Sequence, residues 1–379
     1  MKNLYFLILA FFFLIGTGKA QFKKVMDCNF KYGDYPWGSL TFSGNKLYGM
    51  ESESGANSGA TSSGTIFSIN PDGSGIKDIF DFAPETGCTP NGSLTISGSM
   101  MYGMTMVGGN ADHPGGCLFS IHTDGTGFKK LVEFTGANGY SPHGSLLLSG
   151  NVLYGMTYGG GANQQGNIFS VNTDGSGFKV LYDCPAYEGG IYPFGDLIIS
   201  GNILYGMFSQ SAKNGVGCIF SIHTDGTNYK DIFDFDSKNG GHPLGSLTLS
   251  GNVLYGMTER GGAGEMGCVF SVHTDGSSYK DLLDFNGLNN GAHPAGSLLL
   301  LGSVLYGITY DGGERNDGNI FSIHTDGSGY VNLHSFDYND GASPRGNLVL
   351  AGNTLFGTAQ SGGGGLGSLF SYQLSNPVK

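Results

Sequence analysis

Beyond residue 20 the hydrophobic positions hold no helical period of useful length; they alternate with polar ones over short stretches and break at glycine, asparagine or aspartate. Gly245-Ser246-Leu247-Thr248-Leu249 alternates as a half-buried strand does, Ser250-Gly251-Asn252 interrupts it, and Val253-Leu254-Tyr255-Gly256-Met257-Thr258 follows as its partner. A third run, Cys268-Val269-Phe270-Ser271-Val272, leads through the turn residues His273 to Ser277 into a fourth, Tyr279 to Phe285. These four predicted strands are called A, B, C and D.

The pattern then repeats. Leu47-Tyr48-Gly49 recurs at Met101-Tyr102-Gly103, Leu153-Tyr154-Gly155, Leu204-Tyr205-Gly206, Leu254-Tyr255-Gly256, Leu305-Tyr306-Gly307 and Leu355-Phe356-Gly357, seven copies with glycines 50 to 54 residues apart. A Pro-x-Gly element precedes each copy and a Phe-Ser pair follows it. Four short strands in a period of about 50 residues predict the blade of a β-propeller. The seventh unit has A, B and C but no D, whereas Phe22 to Cys28 reads like the first D strand, Ile76 to Phe82. The expected fold is therefore all-β, a seven-bladed propeller of four-stranded antiparallel blades in which the N-terminal strand closes the last blade. Lys23, Lys77, Lys129, Lys179, Lys230 and Lys280 occupy one slot of strand D, where a lysine protects an outer sheet edge.

Spacing separates a constant face from a variable one. The Pro-x-Gly glycine lies 11 residues before the Tyr-Gly glycine in every unit, as Gly38 lies before Gly49, so the AB turn is invariant. The CD turn is invariant too, whereas the BC segment shrinks from 18 residues, Gly49 to Phe67, to 13, Gly357 to Phe370. In an up-and-down blade the BC and DA loops share a face, and loops on a rigid scaffold commonly carry function. Within that frame the middle residue of Pro-x-Gly is Trp37, Asn91, His143, Phe194, Leu244, Ala295 and Arg345, a variety that a structural repeat does not demand. Glu51, Tyr158, Phe208, Glu259 and Tyr310 vary likewise at the start of the BC loops. The candidate ligand-binding residues are Trp37, Asn91, His143, Phe194, Arg345, Glu51, Tyr158, Phe208, Glu259 and Tyr310. Aromatic rings beside single polar groups suit saccharide or peptide recognition, because a ring buries apolar surface while its polar neighbours set orientation.

The repeat resembles that of the GloVer tandem-repeat proteins of exported bacterial origin, roughly Gly-x-Leu-Tyr-Gly-Thr-Thr-x-x-Gly-Gly followed by Gly-x-Val-Phe. Leu153-Tyr154-Gly155-Met156-Thr157, Gly160-Gly161 and Gly166-Asn167-Ile168-Phe169 carry the match most clearly, and all seven units share it. Met50, Met104, Met156, Met207, Met257 and Ile308 replace the first threonine, which only Thr358 keeps, and units 1 and 4 lack the glycine pair. The resemblance implies a β-propeller outside the cytoplasm, and it brings no catalytic residues to carry over. The period is also similar to kelch propellers; with one tryptophan and no Trp-Asp pair, a WD40 propeller is excluded.

Composition narrows the partners. The formal charge of -12, with no basic cluster, argues against nucleic acid. Lys2, the apolar run Leu4 to Ile15 and the small residues around Ala20 read as a signal peptide at 1–20, leaving a single domain over 21–379. No later segment resembles a membrane span, and the chain ends soon after its last unit, so a soluble extracellular or periplasmic protein is expected.

The Asp-Gly pairs at Asp72, Asp124, Asp174, Asp225, Asp275 and Asp326 look like calcium-loop fragments, yet they fall in every CD hairpin, where Asp-Gly forms turns. His122, His223, His273 and His324 read as turn residues as well. Cys117, Cys218 and Cys268 share one slot before strand C, and equivalent slots in neighbouring blades are too far apart for bridging. Cys28, Cys88 and Cys184 fall near the BC/DA face, which leaves a Cys88–Cys117 bridge open. No metal or cofactor is expected. Three functions fit: a binding module for a saccharide or an extracellular protein, a glycan hydrolase or lyase using loop carboxylates such as Glu259 with His143, and a purely structural surface protein.

Overall fold

The computed structural model describes residues 21–29, 35–53, 63–109, 115–186, 189–211 and 213–375; the expected signal peptide lies outside them. Those residues form seven four-stranded antiparallel sheets arranged as blades of a ring, with no helix among them. Blade 1 consists of Thr41–Ser43, Lys46–Glu51, Thr65–Ile69 and Lys77–Asp81 as strands A to D. Blades 2 to 6 repeat this order along the chain.

Blade 7 is composite. Its strands A, B and C are Val349–Ala351, Thr354–Ala359 and Ser368–Gln373, and its outer strand is Gln21–Asp27. That N-terminal strand carries the register shift found in the other D strands, here between Lys24 and Met26 and in blade 3 opposite Ile168 and Phe169. The closure expected from the missing seventh D strand is thus present, and it fastens the two ends of the ring in one sheet.

The period itself has a steric cause. Gly49 of strand B pairs with Phe67 of strand C, and every other Tyr-Gly or Phe-Gly glycine faces the corresponding Phe. A Cβ on Gly155 would sit 2.6 Å from Phe169 Cζ, so glycine is required to let the ring lie across strand B. The seven Phe rings are buried, and each blade packs on the next through one apolar cluster, such as Tyr102, Met104, Leu118 and Phe134 against Leu146, Leu153 and Phe169.

Strand A is shorter than its alternation predicts. In blade 5 it covers Thr248–Ser250 rather than Gly245 to Leu249. The preceding Gly245 and Ser246 leave the sheet for the ring axis, where Ser246 N–H donates to Ser297 Oγ of the next blade at 2.7 Å.

Candidate functional site

At the axis the Pro-x-Gly glycines of adjacent blades touch. A Cβ on Gly346 would lie 2.9 Å from the carbonyl oxygen of Gly38, and each of the other six glycines would meet the next blade's glycine carbonyl at least as closely. The residue after each glycine completes a closed belt: Ser39, Ser93, Ser145, Asp196, Ser246 and Ser297 each donate their backbone N–H to the side-chain oxygen of the next blade, at 2.5–2.9 Å. Asn347 N–H closes the circle on Ser39 Oγ at 2.5 Å. Five members are serine because a short acceptor is all the geometry requires. Asp196 is the one carboxylate of the belt, and burial raises its pKa against the lowering by its hydrogen bonds to Ser145 and Ser246.

The residue before each of those glycines rims the mouth of a channel of about 90 Å³. The structure brings Trp37, Asn91, His143, Phe194, Leu244, Ala295 and Arg345 together there. They form two unlike halves. On blades 2 to 4, His143 stacks on Phe194 with centroids 4.4 Å apart, Tyr158 meets both edge-on, and Tyr192 stacks on Tyr158 at 4.8 Å. Asn91 Nδ2 lies 3.2 Å from His143 Nδ1. Burial pushes the His143 pKa down to about 4, so the ring is neutral at pH 7.

On the other half Arg345 packs on two rings, its Cζ 4.5 Å from the centroids of both Trp37 and Tyr310. Leu244 and Ala295 leave space beside it, a pocket of about 200 Å³ lined also by Glu259, Arg260, His293, Tyr310 and Asp311. Within it Glu259 Oε2 is 3.5 Å from Arg260 Nε, and His293 Nδ1 is 2.9 Å from Asp311 Oδ1.

Glu51 and Phe208 do not belong to this face. Strand B runs six residues, so both are its last residue, opposite Thr65 and Cys218 of strand C and almost wholly buried. Their slot is the one filled by Thr105, Thr157, Thr258 and Thr309. Phe208 stacks on Phe220 at 4.5 Å, and Cys28 Sγ donates to Glu51 Oε1 at 3.6 Å.

Sequence reasoning missed one slot of the face. The residue before each Pro-x-Gly proline, namely Tyr35, Thr89, Ser141, Tyr192, His242, His293 and Ser343, has φ between 50° and 57°. A left-handed conformation costs a non-glycine residue about 1–3 kcal/mol, and it persists only where surroundings over-determine it. Here both backbone groups are engaged: His242 N–H donates to Val216 O at 2.6 Å, and His242 O accepts from Glu259 N–H at 3.2 Å. The slot therefore ties each DA loop to two BC loops, and in blades 4 and 6 it delivers Tyr192 and His293 to the mouth. A variable residue ahead of an invariant proline was the available signal.

The remaining motifs are structural. Each CD-turn aspartate is spent on its own turn, as Asp174 Oδ1 accepts from Ser176 N–H at 2.8 Å and Ser176 Oγ at 2.6 Å. Lys77, Lys129 and Lys179 reach the turn carbonyl of the next blade, Lys129 Nζ lying 2.7 Å from Asp174 O, so they latch blades as well as covering an edge. Cys88 and Cys117 form no bridge; Cys117 Sγ donates to Thr86 O at 3.2 Å, and burial pushes its pKa up to about 11. Among the described residues no cluster of metal-ligating side chains occurs, and no helix is long and apolar enough to cross a membrane.

Seven blades, a hydrogen-bonded axial belt and a rim of unlike side chains define a β-propeller repeat protein of the kind consistent with an interaction module. The chain belongs to the Gloeobacter/Verrucomicrobia repeat family, whose sequence model matches residues 11–151, 58–264 and 199–378. No curated protein sequence matches it. Among solved structures it is similar to a puromycin-hydrolyzing peptidase of Mycobacterium tuberculosis, at 11% identity and TM-score 0.56, over 90% of this chain and 54% of that one. It is also similar to a chain of a nidogen/laminin complex, at 15% identity and TM-score 0.48 over 75% of this chain and 94% of that one. These likenesses concern the fold alone.

Proposed function

We propose that the protein is an exported, non-catalytic recognition module that takes a saccharide or an extracellular protein at the BC/DA mouth of its channel. The observation that carries this reading is a contrast between neighbours in the chain. The belt residues hold one chemistry around the ring, whereas the residues two positions earlier, on the same repeated backbone, are Trp37, Asn91, His143, Phe194, Leu244, Ala295 and Arg345. Packing alone asks for the first pattern and not for the second. Tyr158, Tyr192, Glu259 and Tyr310 extend the same surface outward.

The test is a thermal-shift screen of the mature chain against oligosaccharides, peptides and divalent ions. A ligand at about 100 times its Kd adds about 2.7 kcal/mol of stability. Loss of the shift in Trp37→Ala or Phe194→Ala, with unfolding otherwise unchanged, supports the reading; a shift indifferent to every mouth substitution overturns it.

A second reading rests on the pocket that Glu259, Asp311 and His293 line together. Glycan cleavage needs two facing carboxyl groups. Turnover of a glycan that disappears in Glu259→Gln favours a hydrolase or lyase; His143, neutral and stacked in the other half of the mouth, takes no part in that pocket.

A further inference from the structure

We infer that the ligand of this mouth is an acidic saccharide, with a uronic-acid unit in the 200 Å³ pocket and its carboxylate on Arg345. The inference rests on the recognition reading above and names its ligand class.

Arg345 is a guanidinium set in place before any ligand arrives. Trp37 and Tyr310 both pack on it, its Nε is buried without a hydrogen-bond partner, and among the described residues no carboxylate lies within ion-pair distance of it. A planar fork of donors packed on rings is matched by a carboxylate, which accepts two parallel N–H bonds. Of the other groups lining the pocket, Glu259 Oε2 lies 3.5 Å from Arg260 Nε and Asp311 Oδ1 lies 2.9 Å from His293 Nδ1, which leaves Arg345 as the arginine of the pocket with no carboxylate beside it.

The same pairs favour a sugar around that carboxylate. Hydroxyl groups both donate and accept, so they can satisfy Glu259 and Asp311 on one side and Arg260 and His293 on the other. An extended peptide would need an open row of backbone donors and acceptors. This face offers little of one, because its loops pair with each other: Gly241 with Arg260, Ala292 with Asp311, and Tyr310 N–H with His293 O.

The experiment is calorimetric titration of the full mature chain with trimers of galacturonate, glucuronate and mannuronate, and with the neutral trimer of each. Arg345→Met, Arg345→Lys and Trp37→Ala are run alongside, with thermal unfolding to establish that each folds. The expected result is binding of at least one uronate trimer about tenfold or more tighter than its neutral counterpart. That preference is lost in Arg345→Met and partly kept in Arg345→Lys. Equal binding of acidic and neutral trimers, unaffected by Arg345→Met but lost in Trp37→Ala, overturns the acidic inference and leaves the recognition reading standing. Arg345-dependent binding of a peptide with a free but not an amidated C-terminus, with no uronate bound, overturns the saccharide assignment alone. Binding by nothing in the saccharide and peptide panels overturns the acidic-saccharide inference and leaves the recognition reading to a folded protein partner.

Discussion

The two faces of the ring are the two ends of the same strands, yet they are built on opposite plans. On the AB/CD face every blade repeats one hairpin, with an aspartate folded onto its own turn and, in several blades, a lysine reaching the next turn carbonyl. On the BC/DA face the backbone is equally regular, down to seven left-handed residues in the same slot, but the side chains above it differ from blade to blade. Regular backbone with regular side chains is a fold completing itself. Regular backbone with irregular side chains is consistent with an interaction module, and the boundary between the two runs between the rim residues and the belt beneath them.

The largest effects are expected inside the blades. Phe119→Ala, Phe169→Ala and Phe270→Ala should each cost about 3–5 kcal/mol and should cost nearly the same, because each removes an identical buried ring lying against a glycine. Urea unfolding of the three variants measures this; a spread as wide as the mean would show that the blades are not equivalent. Ser246→Ala comes next, since it leaves the Asp196 N–H without its acceptor in the belt, and about 1–3 kcal/mol is expected.

Two groups near the axis respond to pH with opposite signs. Asp196 has a raised pKa in the folded chain, so the native state binds more protons than the unfolded one between the ordinary aspartate pKa and the folded value. Its ionisation destabilises as pH rises through that window. Asp196→Asn should therefore gain stability relative to the parent at pH 7, and the gain should shrink towards pH 3.5. His143 has a lowered pKa, about 4 against the ordinary 6.5, so stability is lost as pH falls from 6.5 towards 4, and His143→Gln should flatten that limb. NMR titration of the His143 ring measures the lowered value directly.

Smaller effects are expected at the rim. Phe194→Ala and Trp37→Ala should change stability by about 1 kcal/mol or less while removing ligand-induced stabilisation, the reverse of the Phe169→Ala profile. Lys129→Met, which removes one exposed latch to Asp174 O, should fall within about 0.5 kcal/mol in the same unfolding assay.

Everything repeated at fixed spacing is readable along the chain. Blade number, strand order, the closing N-terminal strand and the invariant AB and CD turns all follow from local patterns, because a strand pair joined by a short turn is decided by the residues within it. The turn role of the Asp-Gly pairs was legible for the same reason. Which side chains meet across blades is settled only when the ring folds. Varied chemistry at the start of the BC segment suggests loop residues for Glu51 and Phe208, but their place as the sixth residue of strand B turns them into the core. The belt of Ser39, Ser93, Ser145, Asp196, Ser246, Ser297 and Asn347 was invisible because each of its bonds joins residues about 50 positions apart, except the closing one between Asn347 and Ser39, 308 apart. Arg345 was legible as an odd residue in a variable slot; that Trp37 and Tyr310, from two other blades, pack on it is a product of ring closure, which no spacing along the chain encodes.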